Sequence, residues 1–113
     1  DDADLAALYA CVTIVPRLEM AEVCLSERGE AAARFGSGAT RIDGAFPVNT
    51  HGGMLSHAHA GAAGGMFGII EAVRQLRGQE GKRQVARHDV ALVHNEGGIL
   101  SSHGTLILGR EKR

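Results

Sequence analysis

Tryptophan is absent from this 113-residue sequence, tyrosine occurs once and phenylalanine three times. A core must therefore be built from Ala, Val, Leu and Ile, and with so little aromatic volume its backbones must approach closely. Cysteine occurs twice, as Cys11 and Cys24. With neither a CxxC pair nor a secreted-type framework, the two thiols exclude a disulfide scaffold, fit a reducing compartment, and make a cytoplasmic protein the expectation. Neither sign of charge dominates: 12 Lys and Arg oppose 13 Asp and Glu, for a net −1 and a pI near 6.6. Basic residues are dispersed apart from a tail at 110–113, so nothing draws the chain electrostatically to nucleic acid or an anionic membrane. No apolar run approaches the ~18 residues of a membrane span, and no signal-peptide pattern heads the chain. "DDADLAALYACV" begins without an initiator Met and reads as mid-domain, which points to processing, to a fragment, or to a piece of a longer design.

What is present fits one small domain, 1–113, able to bury roughly 65% of the surface its unfolded chain exposes. "DLAALY" at 4–9 is a short apolar strand or a first helical turn. Over 11–25, Ile14, Leu18, Ala21 and Leu25 fall at helical spacing with Arg17, Glu19 and Glu22 off that stripe, so a helix is expected, with Pro16 tolerated only in its first turn. Residues 26–47 are polar and turn-rich, a surface excursion with at most short strands. Met66, Ile69, Ile70, Val73 and Leu76 predict a helix over 64–77 with Glu71, Arg74, Gln75 and Arg77 facing away, stopped by Gly78. "DVALVHN" (89–95) and "GTLILGR" (104–110) read as two buried strands joined by a tight connection. Strand, helix, long loop, helix, strand, strand is the order of an α/β layered fold.

The chemistry concentrates in "NTHGGMLSHAHAGAAGG" at 49–65, three histidines among five glycines. His51, His57 and His59 supply enough imidazoles for an open zinc site, but at none of the usual zinc spacings and with no carboxylate in the stretch to fix a tautomer. "GAAGG" runs into a helix whose first amides could hold an anion, yet it matches neither GxxxxGK[ST] nor GxGxxG. Glycines 61, 64, 65 and 68 also suit a helix that passes close to another backbone. Proton transfer is the remaining reading: histidines beside glycine amides provide an acid or base and oxyanion donors, and a second cluster, "HNEGG" at 94–98, leaves the end of a strand and could converge on the first.

Three segments in order resemble the thiolase superfamily. "NTHGGMLSHAHAGAAGGMFGIIEAVRQLRG" resembles the pattern N-x-x-G-G-x-x-x-x-G-H-P-x-G-x-x-G followed by its helix. "ALVHNEGGILSSHGTLIL" resembles the closing strand, loop and strand, with "HN" where ordinary members carry CxGGG, as sterol-carrier-protein-type members do. "ALYACVTIVPRLE" resembles the strand end written His- or Tyr-Asp-Cys-Phe and the helix after it. The nearest subgroup is the lipid-transfer-type thiolase-like proteins, which include steroid side-chain aldolases. The resemblance implies a thiolase-like C-terminal half, a mixed sheet layered with helices (α/β/α), that pairs with an N-terminal half and then oligomerises. It implies carbon–carbon bond cleavage or formation beside a coenzyme A thioester, with the acyl-CoA as substrate and no covalently bound cofactor or metal. The nucleophilic cysteine of thiolases lies in the absent half; Cys11 and Cys24 do not match it and are expected to be core thiols.

By position, His59 takes the place of the motif histidine beside the thioester carbonyl, and His94 that of the second cysteine or the "HN" histidine. Tyr9 corresponds to the strand-end Tyr or His, a proton carrier in aldolase-like members, and His57 lies where those relatives carry an aromatic, which makes it a second candidate proton carrier. Gly97 and Gly98 present backbone beside the acyl group. Ala10, Val12, Ala58 and Ala60 depart from the pattern, removing an orienting Asp and a rigid Pro. The rival expectation is a non-catalytic structural or oligomerisation subunit, and a third is a small metalloprotein using His51, His57 and His59.

Overall fold

A computed structural model describes residues 2–111. Leu5, Ala6, Ala7 and Leu8 are apolar in succession and all buried, so the strand they form, β1 (Leu5–Leu8), is covered on both faces. It pairs in parallel with β2 (Val90–Gly97), which pairs antiparallel with β3 (Ser102–Gly109), giving a mixed sheet in the order β1, β2, β3. Val48 adds an isolated parallel bridge to Ala6 on the other side of β1. One face of the sheet packs Leu5, Ala7, Ala91 and Val93 against Ala72 and Leu76 of the helix α4 (Gly64–Leu76). The other packs Ala6, Leu8 and Leu92 against Met20 of α1 (Val15–Glu22) and Ala31 of α2 (Ala31–Gly36). This is the expected α/β/α layering. Among the described residues no helix is long and apolar enough to cross a membrane.

The helices lie where the periodicity places them, but part of each expected apolar stripe faces outward. α1 begins at Val15 rather than near residue 11, with Pro16 in its first turn, where an amide hydrogen is not needed. The first half of its expected inner stripe points outward, Ile14 and Leu18 being each 49% exposed, while Leu25 packs on the core as expected and Glu19 and Met20 are 3% and 0% exposed. In α4 the stripe is split: Leu76 lies in the core and Ile69 packs against it as expected, whereas Met66 and Ile70 are half-exposed and Glu71 and Gln75, expected to face away, are buried. The cause is close approach: a Cβ on Gly68 would stand 3.2 Å from the Ala7 Cβ and 3.7 Å from the Val93 Cγ1. The small residues Gly68 and Ala72 therefore face the sheet, and the turn between them and solvent carries the polar pair.

That pair is satisfied. Glu71 accepts from Thr50 Oγ1 at 2.6 Å, from Gln75 Nε2 at 3.2 Å and from Arg83 at 3.2 Å. Burial alone would raise its carboxyl, but these donors outweigh it and hold the group below its ordinary value. Gln75 in turn donates to the Arg83 carbonyl at 2.7 Å and accepts from the Val85 amide at 3.0 Å, so it acts as a piece of backbone inside the core.

Three further expectations are corrected. The 26–47 excursion contains the helix α2, whose Ala31 is buried in the core, rather than turns and short strands alone. β3 is not buried: it is the sheet edge, and Leu106 and Ile107 are exposed because no described layer covers them. The two cysteines are not core thiols, for Cys24 is exposed and Cys11 half-buried.

Asp4 fastens the first strand to the second. Its Oδ2 accepts from the amides of Asp89 at 2.8 Å and Val90 at 3.0 Å, and Oδ1 meets Arg87 at 2.6 Å. Burial pushes its pKa up, and the two amides and Arg87 push it further down, so it lies below 3.8 in the folded chain. A lowered folded value stabilises the fold above the unfolded pKa and ceases to do so as pH falls through the folded one. Asp4→Ala is expected to cost about 1–3 kcal/mol near neutral pH, read as a shifted urea midpoint, and to leave an acid-unfolding curve less steep below pH 3.8.

Candidate functional site

Parallel strands deliver their C-terminal ends to the same edge of the sheet, where α/β folds place their chemistry. Leu8 lies beside His94 in the register, so Tyr9 leaves β1 level with the His94–Asn95 step of β2. Side chains alternate across a strand. His94 therefore projects with Leu92 to the α1 side, while Asn95 projects to the α4 side, where its Nδ2 donates to the Gly65 carbonyl at 3.3 Å.

The histidine loop reaches this edge through Asn49. Its Oδ1 accepts from the Leu8 amide at 2.8 Å, tying the loop to the last residue of β1. Gly52 and Gly53 follow with φ of +102° and +67°, values that favour glycine, and start the short helix α3 (Gly53–Ser56). The chain then brings His59 to Tyr9 across 50 residues: the Tyr9 hydroxyl and His59 Nε2 are 3.3 Å apart, and the rings meet edge to face. His59 is exposed and Tyr9 half-buried. Burial, and after it the neighbouring Cys11, Glu96 and Glu19, push the Tyr9 phenol above 10, so it keeps its proton at neutral pH.

His57 goes elsewhere. Its ring packs edge-on against His51 and against Phe67, each at 5.2 Å between centroids. His51 is pulled below its ordinary pKa by burial, opposed by Glu71 of α4 and reinforced by His57. The loop thus divides its histidines into a His51–His57 pair and a His59–Tyr9 pair, and among the described residues no group of three or more His, Cys, Asp and Glu could hold a metal ion.

His94 is 6% exposed and enclosed by its neighbours. Its Nδ1 lies 2.7 Å from Thr105 Oγ1 and its Nε2 3.3 Å from His103 Nδ1, both on β3, with the two imidazoles stacked. Burial and then His103 hold it below the ordinary histidine value. Gly97 and Gly98 follow where β2 turns into β3, and Gly98, Ile99 and Leu100 take φ of +61°, +57° and +59°. Two non-glycine residues in that region cost about 1–2 kcal/mol each. Glu96 braces this turn, accepting from the Leu100 amide at 2.7 Å with one oxygen and from the Cys11 thiol at 3.7 Å with the other. Burial and Glu96 raise the Cys11 thiol above its ordinary value, so it is a poor nucleophile as it stands.

Sequence reading missed Glu19, Glu96, His103 and Thr105. The two β3 residues were discoverable, since antiparallel pairing of the two strand runs sets Thr105 opposite His94 and His103 opposite Glu96. Glu19 was not, because helical periodicity assigned it to the solvent side.

Comparison with known proteins agrees with this fold. Residues 1–110 match the family described as thiolase C-terminal domain-like. Acetyl-CoA acetyltransferase of Methanothermobacter thermautotrophicus is 40% identical over 109 residues, 96% of this chain and 28% of that protein. The steroid side-chain-cleaving aldolase of Thermomonospora curvata is 43% identical over 79 residues, 68% of this chain and 19% of the aldolase. Among solved structures, an Ltp2-ChsH2(DUF35) aldolase superposes with a TM-score of 0.83 at 36% identity, over 96% of this chain and 27% of its own. The chain spans less than a third of each of these relatives.

Proposed function

The chain belongs to the thiolase C-terminal domain-like family, and we propose that it supplies the C-terminal half of a site that makes or breaks a carbon–carbon bond beside a coenzyme A thioester. The observation that carries this reading is the Tyr9–His59 contact at 3.3 Å, which joins two motif positions 50 residues apart at the C-terminal end of β1. His59 is exposed there and able to donate to a thioester oxygen as negative charge develops on it. Tyr9, held as a phenol, gives the proton of the carbon–carbon step.

In this reading His94 does not touch substrate. Both its ring nitrogens face β3, so it orients and relays rather than acting as a free acid or base. The Gly97 and Gly98 backbone forms the wall beside the acyl group. His57, packed on Phe67, serves the shape of the loop and carries no proton for the reaction. The acyl-CoA is the substrate, no covalently bound cofactor takes part, and the nucleophile or remaining acid-base group comes from an N-terminal half, in cis or in trans, within a cytoplasmic oligomer.

A structural or oligomerisation role is favoured by one observation: Ala10 stands where the family pattern has Asp, and it is buried, with its Cβ 3.3 Å from the position a Cβ on Gly53 would take. One experiment separates the readings. The isolated chain is expected to be inert toward acetoacetyl-CoA and β-hydroxyacyl-CoA, and adding a thiolase-type N-terminal half is expected to produce turnover. Turnover by the chain alone overturns this division of labour, and a stable assembly that stays inactive favours the structural role.

A further inference from the structure

Glu19 is the one site-facing residue for which the proposed chemistry leaves no task. It sits on the inner face of α1, 3% exposed, with both carboxylate oxygens lacking a hydrogen-bond partner among the described residues. Stable folds seldom bury a carboxyl that way without a use for it. The groups facing it are Tyr9 and Cys11 from the end of β1, His94 and Glu96 from β2, and His103 from β3 behind His94. Across from it stands His94, whose Nε2 lies 4.0 Å from Glu19 Oε1.

We propose that Glu19 and His94 share a single proton, which rests on Glu19 and moves to His94 Nε2 when negative charge develops at the site, making Glu19 a positioning residue that acts through His94. In the transfer the Glu19 O–H bond breaks and an N–H bond forms at Nε2. A carboxylate and an imidazolium result, no other bond changes, and the net charge of the pair is conserved.

The surroundings are arranged for the product state. An imidazolium at His94 donates from Nδ1 to Thr105 Oγ1 and from Nε2 to His103 Nδ1. His103 can receive that bond because its own Nε2 faces the Leu100 carbonyl, which only accepts and so fixes the His103 hydrogen on Nε2. Every donor of the charged ring thus has an acceptor in place, whereas at rest the bare Nε2 of His94 faces the bare Nδ1 of His103, two acceptors with no hydrogen between them until a proton reaches Nε2. The resting state has the complementary property: burial pushes the Glu19 carboxyl up to about 8, against a weaker pull downward from the Tyr9 backbone and a further push from Glu96, so the proton is held there at neutral pH. Burial also keeps His94 neutral.

The use of the imidazolium in acyl-CoA chemistry rests on the function proposed above; the shared proton does not. The test is an NMR titration of the 113-residue chain carrying labelled glutamate carboxyl and histidine ring positions. The Glu19 carboxyl is expected to titrate near 8, apart from the other glutamates, and the His94 ring nitrogens to show a second inflection at that same pH besides their own low one. In Glu19→Gln the second inflection is expected to vanish while the low one stays. Titration of Glu19 with the bulk of the glutamates, or His94 curves without the second inflection in the unaltered chain, overturns the proposal. The unaltered chain decides the matter even if the variant does not fold. Failure of the functional reading would show instead as an inactive assembly with these curves unchanged.

Discussion

Replacing His59 by alanine in the chain assembled with its N-terminal half is expected to lower kcat by about 10²–10³-fold, the usual cost of removing one donor to a developing oxyanion. KM should change little, because the interaction strengthens only as charge appears on the thioester oxygen. The fold should not suffer: His59 is exposed, and its one polar contact among the described residues is the Tyr9 hydroxyl at 3.3 Å. Tyr9→Phe separates the two halves of that contact. It keeps the ring and removes the proton, and is expected to cost about 10²–10⁴-fold if Tyr9 is the proton carrier. The pair should be less than additive, since either substitution already breaks the contact. The measurement is steady-state kinetics of the two single variants and the double variant with one acyl-CoA substrate. An unchanged kcat in His59→Ala removes His59 from the chemistry and leaves the structural role as the better account.

Both residues of that contact could be read from the sequence, and the reason is that their signals are local. His59 stands ten residues after Asn49 in a glycine-spaced pattern, and Tyr9 ends a short apolar run that the sequence left open between a strand and a first helical turn. The strand pair, α4 and its Gly78 stop are legible for the same reason, each being announced by residues next to it in the chain. What was not legible is which side of each helix faces inward. Periodicity turns the apolar stripe toward the core, and that rule assumes that a buried polar residue finds no partner. In α4 the partners exist but lie far off in sequence: Thr50 is 21 residues before Glu71, and Arg83 is 12 after it. Once those bonds are available, a helix carrying Gly68 and Ala72 settles with those small residues and Leu76 on the sheet, and with Met66 and Ile70 at the surface.

The same failure in α1 had the greater consequence, because it concealed Glu19. The two buried carboxyls contrast instructively. Glu71 is met by a hydroxyl, an amide and a guanidinium and is held below its ordinary pKa. Glu19 is met by no donor of good geometry among the described residues and is pushed well above it. A structural carboxylate and a proton store thus differ not in depth but in the donors around them. The edge containing Tyr9, Glu19, His94 and Glu96 gathers its titratable groups from three elements that the chain visits at separate times, which is why spacing alone could not assemble it.

Glu19 should also leave a signature in stability. In the unfolded chain it loses its proton near 4.5, and in the fold only near 8. Between those values the unfolded chain has released a proton that the folded chain still holds, so Glu19's own contribution to stability falls as pH rises through that window, opposed below 6.5 by His51 and His94, whose lowered values favour the fold as pH rises. The raised group therefore favours the fold fully below 4.5, and that contribution is gone above about 8. At 1.36 kcal/mol for each pH unit of displacement, the loss has a ceiling of about 4–5 kcal/mol, and a side chain that can swing toward water will show less. Asp4 does not mask the effect, because its own contribution changes only below 3.8. Glu19→Gln, which cannot ionise, is expected to flatten the curve: close to the unaltered chain in acid, and more stable by as much as about 4 kcal/mol on the alkaline side. Urea midpoints of both chains across that range test this directly. Parallel curves for the two would mean that Glu19 ionises in the fold as readily as outside it, with solvent or a neighbouring donor already at its carboxylate.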